Sequence, residues 1–277
     1  MHPCRLSRGS IASVCLATAS LVLASSPQAP SPEPNLTEEQ KEDFLLHARV
    51  VESRQLGTGI THPWRLTLSD GTLLHDAIFQ SVDIREAHHR FADGSSELGF
   101  RDSYHFNIAA YQLAKLLGLG DIVPVTVERD WKGERGALSW WVSWKWMEAT
   151  RIKGKLQPPD VEAWNRQMAK VRIFDELVYD TDPNLTNVLI TEDWKIWRVD
   201  FTRAFRLQHD LRNPGNLDRC DRQLFERLRK LSYDEVLERT KPHLSKELVK
   251  ALMARRDKMV AHFEKLVSQK GESEVMY

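Results

Sequence analysis

Cysteine is scarce in this 277-residue chain: there are three, and two of them, Cys4 and Cys15, fall near the start. Cys220 is left without a partner for an internal disulfide, which excludes a disulfide-stapled scaffold and leaves it to read as a packed thiol. No Cys and His spacing matches a zinc site. Net charge is absent too, with 39 basic against 39 acidic residues. Without residues 1–24, which carry Arg5 and Arg8 and no acid, the balance falls to −2. Bulk attraction to nucleic acid is therefore not expected. No run is long enough for a comfortable membrane span, and no internal repeat is present. Apolar content of 42% and charged content of 28% are those of an ordinary globular protein with a core.

The first residues do not read as fold. A short basic start, MHPCRLSRGS, leads into the apolar run IASVCLATASLVLA. That run has the length of a signal-peptide core, and Val22 and Ala24 fit the small-residue cleavage rule. Residues 1–24 are thus expected to be a signal peptide and 25–36 a Pro-rich linker, with export to the periplasm or the exterior. An uncleaved anchor, a lipid on Cys15, or an apolar start of a cytoplasmic protein are the alternatives.

The remainder divides by pattern. TEEQKEDFLLHARV (37–50) reads as a short helix. RLTLSDGTLLHDAIFQSVD alternates around SDG, a hairpin signal. Residues 83–101 are polar and read as a loop, with His88 and His89 solvated. The apolar spacing of DSYHFNIAAYQLAKLLGLG is helical, with Asp102 or Ser103 as cap and Gly118 or Gly120 at its end. Strand character returns with a hairpin at WKGERG. Asp160 caps the helix VEAWNRQMAKVRIFDELVYD, and Ser245 caps a long amphipathic helix near the C-terminus. The layout is α+β: a mostly β first half with one helix, then a mostly helical second half containing one β-hairpin.

That second hairpin, NVLI and KIWRVDF around TEDW, carries the chemistry. A hairpin sets the start of one strand beside the end of the next, so Asn187 and Asp200 become neighbours. Asp182 lies in the loop just before. Two carboxylates and an amide with no His or Cys suit a hydrated Mg²⁺ and phosphates better than zinc hydrolysis. Asp182 and Asn187 fit D-x-x-x-x-N, and Asp200 follows in VDF, the order that protein kinases use. The bland reading is a helix end braced by Asx side chains.

Here FDELVYDTDPNLTNVLI and WKIWRVDFTRAF resemble the catalytic segment of an atypical kinase-like branch. That branch includes HipA kinases, phosphatidylinositol 3-/4-kinases and the Golgi secretory-pathway casein kinases, with uncharacterised bacterial members that look most alike. SYHFNIAAYQLAKLLGLGDIVPVTVER resembles their αC-type helix and following strand, so the likeness spans about residues 50–210. It implies a bilobal kinase-like fold, N-lobe 37–147 and C-lobe 148–277, with ATP and Mg²⁺ between. By that resemblance Asp182 is the catalytic carboxylate, and Asn187 and Asp200 hold the metal. Gly57 and Gly59 would cover the phosphates, and Gln80 and Asn107 stand where a phosphate-binding Lys and its Glu partner belong. That Gln–Asn pair can hydrogen-bond but supplies no positive charge. YDTDPN also departs from the usual N-T-D-R. The aromatic run SWWVSWKWME is expected to be core and hinge packing, with backbone near Trp146–Glu148 available to an adenine edge.

Three functions follow as expectations: an ATP- and Mg-dependent phosphotransferase on an unknown protein, lipid or small-molecule acceptor; an exported pseudokinase scaffold; or nucleotidyl transfer on the same fold.

Overall fold

The computed structural model describes residues 35–57, 63–91 and 94–277. The expected signal peptide, nearly all of the expected linker, and Gly59 lie outside the described residues. Residues 35–277 form one compact unit. Among the described residues no helix is long and apolar enough to cross a membrane.

Helix α1, Glu38–His47, is shorter than its sequence pattern suggested. A capping box between Thr37 and Gln40 starts it. The chain then turns directly into strand β1, Arg49–Gln55. Strands β2, Trp64–Ser69, and β3, Leu74–Gln80, form the SDG hairpin, in which Asp70 accepts from the amides of Thr72 and Leu73. Alternation buries Leu66, Leu68, Ala77 and Phe79 on one face.

Residues 83–103 correct the expected loop. They form β4, Asp83–Arg90, and β5, Ser96–Ser103, a two-stranded antiparallel sheet of their own. β4 is exposed along nearly its whole length. Without a buried face it has no apolar alternation for a sequence pattern to display. His88 and His89 are therefore strand residues, and the His89 ring stacks on Phe100 at 4.1 Å.

Helix α2, Tyr104–Leu117, is buried over most of its length, and Gly118 ends it in the left-handed conformation. Its expected cap is absent. Ser103 occupies the cap position, but its hydroxyl donates to Asp83 Oδ1 at 2.7 Å. Strands β6, Thr126–Trp131, and β7, Glu134–Trp140, complete a five-stranded sheet of order β1-β2-β3-β7-β6. Helix α2 packs on it.

The helical half begins with strand β8, Trp146–Met147, and helix α3, Glu148–Lys153. Helix α4, Val161–Val178, is capped by Asp160, which accepts from the Ala163 amide at 2.9 Å. Strands β9, Val188–Ile190, and β10, Ile196–Arg198, pair with β8 in the order β10-β9-β8. Helices α5, Arg222–Lys230, α6, Tyr233–Thr240, α7, Lys246–Lys270, and α8, Glu272–Val275, follow. Ser245 caps α7 as expected. One hydrophobic core runs through both halves. Cys220 is fully buried and burial pushes its thiol up, so it is a packing group.

Candidate active site

The site is built around the ends of the β9–β10 hairpin. β9 and β10 pair through Val188↔Arg198, and the Val199 amide donates to the Asn187 carbonyl at 2.9 Å. Asp200 therefore stands one residue beyond Asn187, as the hairpin argument requires. Its φ is +63°, a left-handed conformation uncommon for a residue with a side chain and concentrated at functional sites. Asp200 Oδ1 accepts from the Thr202 hydroxyl at 3.1 Å.

The loop before the hairpin is tied to the segment after it. The Thr181 amide donates to the Arg203 carbonyl at 3.2 Å, and the Asp182 amide to Asp180 Oδ1 at 2.9 Å. Asp182 Oδ2 lies 3.6 Å from the Arg203 guanidinium, with the carboxylate half exposed. Asp182, Asn187 and Asp200 are thereby brought to one end of the hairpin, each only partly buried.

Beneath them sits a group that sequence reasoning passed over. Arg198, fully buried on β10, donates to Asp175 Oδ1 at 3.0 Å, to Asp180 Oδ2 and to the Val199 carbonyl. An arginine inside a short apolar strand was the available signal, because a buried guanidinium demands partners. Asp175, near the end of α4, is one of them. Burial raises the Asp175 carboxyl to about 6 against the opposing pull of Arg198. Burial also raises Asp180, again opposed by Arg198.

Gln80 and Asn107 do meet. Asn107 Nδ2 donates to Gln80 Oε1 at 2.8 Å, and Asn107 Oδ1 accepts from the Phe201 amide at 2.6 Å. The backbone donor fixes which way the Asn107 amide points. The sheet, α2 and the residue after Asp200 are joined in one line. Gly57 follows β1, and among the described residues nothing stands within 4 Å of the position its Cβ would take. β8 pairs with β9 through Trp146↔Ile190 and Met147↔Leu189. Of the aromatic run, Trp140 is buried in the core, Trp144 is exposed, and Trp146 packs against Trp194.

Two further residues come from the unexpected β4–β5 hairpin. Asp102, on β5, was read as a helix cap. Its Oδ1 is buried and has no hydrogen-bond partner. Burial raises its carboxyl, the Thr202 hydroxyl opposes, and the charge of Asp200 raises it further. Asp102, with its unpartnered oxygen, feels the charge of Asp200, while Arg203 and Arg206 pull its carboxyl back down. That donor set fits a hard divalent ion. Glu97, also on β5, pairs with Arg203 at 3.1 Å and Arg206 at 2.8 Å. The Arg203 guanidinium lies 4.9 Å over the Phe91 ring. The hairpin thus packs on the segment that follows Asp200.

No protein-family model matches the chain, and no curated relative does. Solved structures are similar. The structure of hydra Fam20 with sugar has a TM-score of 0.59 at 15% identity, over 86% of this chain and 91% of that one. The Golgi casein kinase with Mn/ADP bound has a TM-score of 0.57 at 12% identity, over 86% and 78%. The Helicobacter pylori proinflammatory kinase CtkA has a TM-score of 0.50 at 9% identity, over 82% and 97%. The fold is that of an atypical kinase, with a β-sheet N-terminal region and a helical C-terminal region.

Proposed function

We propose that this chain is a nucleotide- and divalent-cation-dependent phosphotransferase with its site at Asp182, Asn187, Asp200 and Asp102. The observation that carries the reading is the unpartnered, buried Asp102 Oδ1 beside the charge of Asp200, at the end of a hairpin that also presents Asn187. The Mn/ADP complex of a structure sharing this fold supports it.

Bound there, Mg²⁺ or Mn²⁺ would neutralise charge on the nucleotide phosphates. Asp200 and Asp102 supply its carboxylate oxygens and Asn187 an amide oxygen. Asp182 stays half exposed and orients the acceptor hydroxyl, taking its proton as the oxygen attacks phosphorus and the bond to the ADP oxygen breaks. Asn107 holds the Phe201 amide and so fixes the turn that aims Asp200. Arg203 brings positive charge beside Asp182, where Gln80 brings none. The backbone of β8 offers an edge for adenine, and Gly57 lies in the turn after β1 that would approach the phosphates.

A second reading is favoured by one observation: the Gln80 amide is occupied by Asn107, so the sheet offers no cation at that position. A pseudokinase scaffold, exported as residues 1–24 suggest, would bind nucleotide and transfer nothing. The melting temperature of the chain with and without Mg²⁺-ATP or Mn²⁺-ATP, beside Asp200→Ala, tests the proposal. A metal-dependent rise lost in Asp200→Ala is expected. No shift with any nucleotide overturns it. ADP release then separates phosphotransfer from a scaffold, and pyrophosphate release would identify nucleotidyl transfer.

A further inference from the structure

A second cluster lies away from the aspartates, on the other side of α2. His105 is the second residue of α2, Glu128 is on β6, and His243 lies between α6 and α7. His105 Nδ1 stands 2.9 Å from His243 Nδ1 and 4.0 Å from Glu128 Oε1, and the three ligand atoms fall within 4.8 Å of one another. Each side chain is partly buried. The Tyr104 hydroxyl donates to Glu128 Oε1 at 3.2 Å and fixes that carboxylate.

We propose that His105, Glu128 and His243 bind one zinc-type divalent cation. Ligand atoms around a tetrahedral zinc stand about 3.3 Å apart, given bonds of about 2.0–2.1 Å. The 2.9 and 4.0 Å separations bracket that spacing, so small side-chain rotations close the site. Two imidazole nitrogens and one carboxylate oxygen are the donor set of a borderline-soft ion and a poor one for Mg²⁺. Tyr104 plays the outer role that orients a ligating carboxylate. Three protein ligands leave a fourth position for water. His243 also lines a cavity of about 600 Å³ with Ile108, Gln112, Glu238 and Lys241, which gives the ion and that water a way in.

The consequence is mechanical. The three ligands come from the sheet, α2 and the segment between two C-terminal helices, so the ion joins both halves of the molecule. α2 carries Asn107 two residues beyond His105, and Asn107 holds the Phe201 amide beside Asp200. The ion would brace the helix that supports the aspartate site without belonging to that site. The inference needs no phosphotransfer.

The full chain, stripped of metal by a chelator and dialysed, is titrated with Zn²⁺ against a chromogenic competitor and, separately, with Co²⁺. One equivalent is expected to bind tighter than about 10 μM, and Co²⁺ is expected to give visible absorption of tetrahedral intensity. His105→Ala and His243→Ala should each weaken binding by about a hundredfold or more, and Glu128→Gln by about tenfold or more. Asp200→Ala should bind Zn²⁺ as the unaltered chain does, which keeps this site distinct from the nucleotide reading. His243→Gln retains a hydrogen-bonding side chain, and its far-UV dichroism with that of the other variants reports their folding. Unaltered chain that takes up no equivalent, or His105→Ala and His243→Ala chains that bind as tightly as it does, would leave only a histidine hydrogen bond and overturn the proposal. The Co²⁺ spectrum of the unaltered chain decides the matter even if every variant fails to fold.

Discussion

Two pairs of aspartates flank the β9–β10 hairpin, and they are treated in opposite ways. Asp175 and Asp180 close on the fully buried guanidinium of Arg198. Asp182 and Asp200 stay only partly buried, Asp182 with Arg203 at 3.6 Å and Asp200 with the Thr202 hydroxyl at 3.1 Å, and neither closes on a fully buried guanidinium as the first pair does. Chain neighbours with the same side chain thus divide into a structural set and an available set. The first is neutralised inside the protein. The second is joined by Asp102, whose buried Oδ1 has no hydrogen-bond partner among the described residues. The lesson is that a carboxylate's role is set by whether the fold supplies its counter-charge.

Breaking the first set should have the largest effect. Arg198→Met leaves two buried carboxylates unpaired and should destabilise the fold by about 3–5 kcal/mol, measured as a urea midpoint. A loss below about 1 kcal/mol would mean that Arg198 does not neutralise them. The second set should show its character only with ligand. Saturating metal-nucleotide at a hundred times Kd should raise stability by about 2.7 kcal/mol in the unaltered chain and leave Asp200→Ala unmoved.

Acid sharpens the contrast further. The Asp175 carboxyl is raised to about 6, while an unfolded aspartate titrates near 3.9. Between those values the native chain holds a proton that the unfolded chain has lost. This group's contribution therefore falls as pH rises from about 4 to about 6, by roughly 2 kcal/mol, and is level above that. Asp175→Asn removes that part of the slope, so the difference between the two stability profiles over this window isolates it. A difference that does not change with pH would show Asp175 ionised throughout. The smallest effect should come from Asn107→Ala, which orphans the Phe201 amide and should destabilise by about 1.5 kcal/mol. Its nucleotide-dependent stabilisation should shrink in parallel, because the turn carrying Asp200 loses its anchor. Unchanged nucleotide binding would show that the turn holds itself.

Much of the fold was legible because its signals are local. The SDG and WKGERG turns, the Asp160 and Ser245 caps and the left-handed Gly118 each depend on a few adjacent residues. The nearness of Asn187 and Asp200 was legible for a related reason. D-x-x-x-x-N ends just before β9 and VDF begins just after β10, so the hairpin between them brings Asn187 and Asp200 together. The β4–β5 hairpin was not legible, because β4 buries almost nothing and a strand without a buried face shows no alternation. Missing that hairpin also hid Asp102 and Glu97.

The sequence by itself determined the β2–β3 and β6–β7 hairpins, helices α2, α4 and α7, the β9–β10 hairpin and the candidate loop at 180–187. These follow from side-chain period and turn chemistry along the chain. Only the tertiary structure decided which aspartates would be neutralised, since Arg198 reaches Asp175 and Asp180 across 23 and 18 residues. Only it could bring His105 to His243 across 138 residues. Burial and counter-charge are properties of neighbours in space, and no pattern along the chain records them.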